Sequence, residues 1–230
     1  MNIPGTREIP EFACQPVYPA VERHGHIFFF NGPDPQFSLP FFPGEDPANF
    51  VAGRAFALRW EFPWYMIVAN GFDTQHFRAV HDRKMIGYET VDAPAPFARR
   101  IRFNAQITGA SMRDRLLRAA VGEKVGIGIT SWGGPFVTVT GKFRRATSYI
   151  LIAVQPLDAD HSLTEAIVHA PRGAVTGLWL RRLLTQMFMR DDFNHLAGIR
   201  YNPRTFIEAD RVMVEFLHWL AALTQTKETP

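Results

Sequence analysis

Five short apolar segments follow one another between residues 100 and 169, and they constrain the fold more than any other feature of this sequence. The first segment, residues 100–108, alternates apolar with polar side chains, as a strand with one buried face does. Turn residues separate the later segments, among them Gly133 and Gly134. Short strands that follow one another through tight turns pair antiparallel, so the pattern predicts one antiparallel sheet. The other four strands are expected at residues 125–130, 136–140, 147–154 and 162–169.

Helical patterns lie on either side of this predicted sheet. Residues 65–81 contain no proline and no strict alternation, which favours a helix interrupted at Gly71. Apolar spacing predicts two later helices, at residues 175–199 and 204–223. One antiparallel sheet with helices closing over it is an α+β architecture. Upstream, the sequence predicts strands at residues 17–22, 26–30 and 55–62, and a proline-rich loop at residues 31–49.

Length, charge and cysteine content narrow the class of protein. The 230 residues suit one domain of ordinary size, and the net charge of +3 without any block of like charges argues against nucleic-acid binding. Cys14 is the single cysteine, so the chain can form neither an internal disulfide nor a thiolate cluster. No signal peptide is recognisable, and no apolar run reaches the roughly 18 residues of a membrane span. We therefore expect a soluble, cytoplasmic protein.

The histidines His76 and His81 are the strongest indication of chemistry in the sequence. Imidazole is a common ligand for iron, copper, zinc and nickel, and two histidines can bind the same metal ion if their side chains converge on it. Five residues of an ideal helix rotate by about 140°, so these two rings converge only if the helix is distorted or if the site lies between elements. Asp73 shares a helix face with His76 and is positioned to accept a hydrogen bond from a metal-binding imidazole. The alternative is one surface histidine and one hydrogen-bonded core histidine.

The string from Asn70 to His81 resembles a known iron-binding motif. It is Asn-x2-Asp-x2-His-x4-His with an aromatic residue after the first histidine, and it is similar to the motif in the catalytic domain of Rieske-type non-haem iron oxygenases. The resemblance implies that His76 and His81 bind iron(II). It also implies that Asp73 links one of these histidines to an incoming electron donor, and that Asn70 lies near the metal.

In that family the third iron ligand is an aspartate far downstream, often one of an acidic pair. Asp191 and Asp192 match this pattern about 110 residues beyond the second histidine, within a predicted helix. The resemblance implies Asp192 as the ligand, with Asp191 as the fallback. The alternative is a solvated helix face on which the pair contacts Arg190. His195 lies on the same helix, where we expect a structural role.

The same resemblance covers most of the chain. Residues 18–28 are similar to the strand pair that follows a Rieske domain, and residues 200–219 faintly resemble the steroid-oxidising branch of the family. The resemblance implies a helix-grip fold, in which an antiparallel sheet wraps around a long C-terminal helix. It divides the chain into an arm with a strand pair (residues 1–49) and an iron-binding catalytic domain (residues 50–230). The family's ring-shaped trimer makes a homo-oligomer, a trimer, the expected assembly.

The cysteine content departs from the family pattern. A Rieske [2Fe–2S] cluster needs two cysteines and two histidines, and this chain has one cysteine, so it cannot bind that cluster. Electrons must come from a separate Rieske or ferredoxin-type donor with its reductase, or the natural gene is longer at its N-terminus, or the oxygenase role has been lost.

The resemblance implies a mononuclear non-haem iron oxygenase domain. Its reaction would be the hydroxylation, demethylation or desaturation, with dioxygen, of an apolar aromatic or polycyclic substrate, which the many Phe and Met side chains would suit. Two other functions stay open. One is a non-catalytic helix-grip protein that binds lipids or small molecules. The other is a zinc-dependent enzyme, since two imidazoles and a carboxylate also suit zinc.

Overall fold

The computed structural model describes residues 17–197, 199, 202 and 205–223. The chain divides into two compact units, of which the first ends at Leu39 and the second begins at Pro40. In the first unit, strands β1 (Ala20–Arg23) and β2 (His26–Phe29) form an antiparallel hairpin. The two residues of its turn have positive φ (54° and 77°), a conformation that matches the twist of paired strands. The predicted strand pair is therefore confirmed.

An antiparallel sheet forms the centre of the second unit. Its strands are β3 (Phe50–Ala52), β4 (Phe56–Trp60), β5 (Arg83–Asp92), β6 (Ala98–Ile107), β7 (Lys124–Trp132), β8 (Phe136–Phe143), β9 (Thr147–Pro156) and β10 (Ser162–Pro171). They lie in the order β3-β10-β9-β8-β7-β6-β5, and β4 also pairs with β10. The predicted meander is confirmed as β6 to β10, where each strand pairs with the next one along the chain.

The last two helices of the second unit, α4 and α5 in the list that follows, pack on the same face of this sheet. The helices of the second unit are α1 (Trp64–Asn70), α2 (Thr74–Ala79), α3 (Met112–Val121), α4 (Leu178–Leu196) and α5 (Arg211–Leu223). Phe216 of α5 belongs to one core cluster with Ile101 of β6, and Phe193 of α4 belongs to a second cluster with Phe56 of β4. Ile152 of β9 packs against both clusters, so both helices lie on one face. This is the predicted α+β helix-grip fold.

The lengths of these two helices differ from the expectation. The predicted helix at residues 204–223 begins at Arg211, after a short 3₁₀ turn at Glu208–Asp210, and residues 203 and 204 lie outside the described residues. Helix α5 has 13 residues, whereas α4 has 19. The longer of the two is therefore the helix that carries the acidic pair.

The sequence analysis did not predict β5 or α3. Strand β5 lies at an edge of the sheet with most of its side chains exposed, and its pairing with β6 is irregular between Ile86 and Thr90. An edge strand solvated on both faces shows no alternation of apolar and polar residues. Helix α3 buries mainly Asp114, and its large apolar side chains Met112 and Leu116 are exposed, so it does not turn an apolar face to the core as a surface helix usually does. Among the helices of the described residues, none combines the length and the apolarity that a membrane span requires.

Candidate metal centre

The segment that carries the two histidines begins at a break between α1 and α2. Helix α1 ends at Asn70, and Asp73 adopts an extended conformation (φ −90°, ψ 97°). The Oδ1 atom of Asp73 accepts hydrogen bonds from the backbone N–H groups of Gln75 (2.9 Å) and His76 (3.1 Å). This N-cap starts a new helix and places His76 in its first turn. The predicted interruption at Gly71 is confirmed.

His81 lies beyond the end of α2. The helix ends at Ala79, and Asp82 has a positive φ of 50°, which Asp tolerates better than most residues with a side chain. The carbonyl oxygen of Asp82 accepts hydrogen bonds from the backbone N–H (3.0 Å) and the hydroxyl group (2.7 Å) of Thr108. These bonds attach the turn to the end of β6. Because His81 is in a turn, the rotation of an ideal helix does not apply to it.

The structure brings the three candidate ligands together. Asp192 lies on α4, and its Oδ1 atom is 2.9 Å from Nε2 of His76 and 2.5 Å from Nε2 of His81. The three ligand atoms lie within 4.8 Å of one another. All three side chains are buried or nearly so, with exposed fractions of 7% for His76, 1% for His81 and 15% for Asp192. Two imidazoles and a carboxylate that meet in this way form a donor set for a transition metal.

The two members of the acidic pair have different surroundings. Asp192 faces the histidines, whereas Asp191 pairs with Arg113 of α3 and is 42% exposed. The geometry therefore favours Asp192 over the fallback. His195 is exposed on the same helix, and its Nδ1 atom lies 2.7 Å from the carbonyl oxygen of Asp191, so it takes no part in the convergence.

The Nε2 atom of His81 has the properties of a metal-binding atom. It is buried, and among the described residues it has no hydrogen-bond partner, because its short contact with Asp192 lacks hydrogen-bond geometry. The carboxylate of Asp192 lies 2.5 Å away but is not aligned for a hydrogen bond, so the hydrogen-bonding capacity of this nitrogen is unused. A metal ion that accepts the lone pair of this nitrogen would satisfy it. The residues therefore fit a resident metal, and the donor set suits iron(II) as well as zinc.

The carboxyl group of Asp192 is held in its charged form. Burial by itself would raise the pKa of this group, but the contacts with His76 and His81 outweigh burial and hold the pKa below its ordinary value. A carboxylate must be deprotonated before it can bind a metal ion. At neutral pH the side chain of Asp192 is therefore in the deprotonated form that a metal ion requires.

Aromatic side chains hold the imidazole of His81. Phe188 stacks on it with 4.2 Å between the ring centroids and 16° between the planes, and Phe77 lies at 5.7 Å. Phe188 precedes Asp192 by four residues on α4, so the two side chains share a face of the helix. The sequence analysis did not single out Phe188, although this spacing from the candidate ligand was a usable signal.

The remaining two predicted site residues, Asp73 and Asn70, have backbone contacts. Asp73 caps α2, and its own N–H donates to the carbonyl oxygen of Asn70 (3.2 Å). Neither contact tests the predicted roles. The link from Asp73 to an electron donor and the place of Asn70 near the metal stay predictions.

A buried ion pair beside the site was not predicted. Arg83 and Asp114 are 3.0 Å apart, and Arg83 also donates to the carbonyl oxygen of His81. An open surface cavity of about 440 Å³ adjoins the same turn, and five of its six lining residues are of polar or charged types. The lining residues are Arg78, Asp82, Arg83, Lys84, Met85 and Thr108.

Comparisons with known proteins bear on the fold. No protein-family model matches this sequence, and no curated protein matches it. Solved structures do match. Dicamba monooxygenase bound to dicamba is 16% identical, with a TM-score of 0.63, over 90% of this chain and 69% of that chain. NdmA of Pseudomonas putida CBB5 with caffeine is 16% identical, with a TM-score of 0.64, over 95% of this chain and 64% of that one. NdmB of the same organism is 12% identical, with a TM-score of 0.64, over 93% and 62%.

These similarities confirm, at the level of the fold, the resemblance to catalytic domains of Rieske-type oxygenases. Identities of 12–16% establish a shared fold and do not establish a shared activity. The chain spans 62–69% of the length of these three proteins.

Proposed function

We propose that this chain is an iron(II)-dependent oxygenase domain that oxidises an apolar aromatic or polycyclic small molecule with dioxygen. The observation that carries the proposal is the buried convergence of His76, His81 and Asp192 within a fold shared with dicamba monooxygenase and NdmA. Iron(II), when bound by two imidazoles and a carboxylate, supplies open positions at which dioxygen can be activated beside a substrate. Hydroxylation, demethylation and desaturation are the reactions that we propose.

The protein's own residues would prepare this site. His76 and His81 would bind through Nε2, and Asp192 would bind through a carboxylate that is already charged. The ring of Phe188 restrains the imidazole of His81, which lowers the cost of ordering that ligand. The comparison structures hold dicamba and caffeine, and both are ring compounds, which supports a ring-containing substrate.

The reaction needs electrons that this chain cannot store. With one cysteine the 230 residues cannot hold a Rieske cluster. We propose a Rieske-type centre outside these residues as the donor, supplied by a reductase. Asp73 would lie on the route from that donor to His76 or His81, and Asn70 would lie near the metal. A trimeric assembly and a cytoplasmic location stay predictions.

Metal analysis of protein produced in iron-supplemented medium tests the proposal. We expect stoichiometric iron in the wild type and its loss in His76→Ala, His81→Ala and Asp192→Ala, with unchanged circular dichroism. The matched control is His161→Ala, because His161 also contacts an aspartate (2.8 Å) but lies on the surface. That variant should keep its iron.

Three results would point elsewhere. Full iron content in all three ligand variants would reject the assignment of the site. Stoichiometric zinc that survives production in iron-rich medium would favour the zinc-dependent enzyme. A metal-free wild type that retains an apolar ligand would favour the non-catalytic binder.

A further inference from the structure

The buried ion pair of Arg83 and Asp114 contacts the backbone of His81. The Nη1 atom of Arg83 is 3.0 Å from Oδ1 of Asp114, and the two side chains are 9% and 6% exposed. The contact is an ion pair without hydrogen-bond alignment at Oδ1. Arg83 also donates to the backbone carbonyl of His81. Because a guanidinium group stays charged and needs a partner when buried, Asp114 determines where Arg83 lies, and Arg83 in turn restrains the backbone at His81.

Asp114 is itself fixed in place. The hydroxyl of Ser111 donates to Oδ2 of Asp114 (2.7 Å), and the N–H of Asp114 donates back to that hydroxyl (3.1 Å). Gly109 leaves the space for this carboxylate, since a Cβ at that position would lie 2.2 Å from Oδ2. Burial would raise the pKa of Asp114, but the hydrogen bond from Ser111 and the charge of Arg83 hold it below its ordinary value. The carboxylate is therefore charged, opposite a charged guanidinium.

The residue before Asp114 makes a second contact of this kind. Arg113 pairs with Asp191 on α4, and both side chains are about two-fifths exposed. Asp191 is the immediate neighbour of the candidate ligand Asp192. An exposed pair contributes little to overall stability, but this one connects α3 to the turn of α4 from which the carboxylate ligand projects.

We propose that helix α3 positions the metal centre from outside. Asp114 acts on His81 through Arg83, and Arg113 acts on the segment of α4 that carries Asp192. The inference rests on the proposed metal site, and these are positioning residues that do not themselves bind the metal. The loss of a group that orients a metal ligand weakens metal binding by about 10–100-fold. We expect a loss in this range for the buried pair and a smaller one for the exposed pair.

The probe is Co(II), which replaces iron(II) in such sites and whose visible absorption bands report the ligand geometry. The Kd and the bands of bound Co(II) are measured for the wild type, Asp114→Asn and Arg113→Gln, with urea unfolding as the test of folding. The control is Asp92→Asn, which breaks a second Arg–Asp pair, Arg100–Asp92 (2.7 Å), at the edge of the sheet. We expect Asp114→Asn to raise the Kd about 10-fold or more and to shift the bands. Asp92→Asn should change neither.

A second variant keeps the test decisive if Asp114→Asn does not fold. The double variant Arg83→Met, Asp114→Leu removes both charges together, and apolar replacement of a buried ion pair generally preserves stability. A folded double variant with the wild-type Kd and bands would overturn the role of the buried pair. An unchanged Kd in Arg113→Gln would overturn the role of the exposed pair. Failure of the proposed site itself looks different, since the wild type would then bind no Co(II), or His81→Ala would bind it as tightly.

Discussion

Metal binding should stabilise the folded protein, and the size of the effect can be worked out. A ligand that binds only the folded state, at a free concentration of 100 times its Kd, adds about 2.7 kcal/mol. For a chain of this size, each kcal/mol raises the Tm by about 2–4 °C. Iron(II) at that concentration, under anaerobic conditions, should therefore raise the Tm of the metal-free wild type by about 5–11 °C.

Asp192→Ala should remove nearly all of this shift. Asp192 is the negatively charged member of the triad and is 15% exposed. Partners that only orient a metal ligand contribute about 10–100-fold to metal affinity, so the loss of the ligand itself should weaken binding by about 100-fold or more. At the same metal concentration the gain then falls to about 0.4 kcal/mol or less, a shift below about 2 °C.

Thermal denaturation followed by circular dichroism, with and without metal, measures this shift. Asp158→Ala is the matched control, because Asp158 also contacts a histidine (2.8 Å) but is 56% exposed. It should keep the full shift, and Asp191→Ala should keep most of it. Equal shifts for the wild type and Asp192→Ala would refute the role given to Asp192. Loss of the shift in Asp191→Ala instead would identify Asp191 as the ligand.

Three further outcomes are expected. Asp73→Asn should keep its iron and its helix, since Asn caps as well as Asp, but it should lose turnover with a Rieske donor; full activity would leave Asp73 a capping role alone. The iron-loaded chain with NADH and a reductase, free of ferredoxin-type proteins, should form no product from an aromatic probe such as indole, whereas hydrogen peroxide, which brings both oxygen and electrons, should yield a little. Sustained product formation without a Rieske centre would contradict the proposed electron source. Because the folded pKa of Asp114 is lowered, its stabilising effect is complete above the unfolded pKa of about 3.9 and is lost as pH falls through the folded value. The difference in unfolding free energy between metal-free wild type and Asp114→Asn should thus be constant above about pH 5 and shrink below about pH 4; urea unfolding across this range would show it, and a constant difference would disprove the assignment.

The sheet and the three candidate ligands could be predicted because each has a local signal. Strands β6 to β10 are a meander, and in β6 the alternation of apolar and polar residues is visible without any knowledge of partners. The histidines stand in a motif, and the acidic pair follows at the expected distance. The resemblance implied Asp192 and kept Asp191 as the fallback, but spacing alone does not separate two neighbouring residues on a helix, which differ only in the direction they face. The fold shows these directions, since Asp192 faces the histidines and Asp191 pairs with Arg113.

The positioning groups had no such signal. Arg83 and Asp114 are 31 positions apart in a sequence with many charged residues, and most charged residues lie on the surface. Only the fold shows that this pair is buried. Helix α3 could not be recognised either, because its buried residue is the charged Asp114, whereas its large apolar side chains, such as Met112 and Leu116, face solvent.

The five-residue step from His76 to His81 marks the end of a helix and not a helix face. Helix α2 has six residues, too few to be stable alone, because helices shorter than about 12 residues are marginal in water. It is held at its start by the cap at Asp73 and, just past its end, by the two hydrogen bonds of Thr108 to the turn at Asp82. A metal ion bound to both histidines would connect the first turn of this helix to the turn beyond it. Metal binding and the ordering of this segment would therefore be coupled, as they are wherever a metal supplies the contacts that a short element lacks.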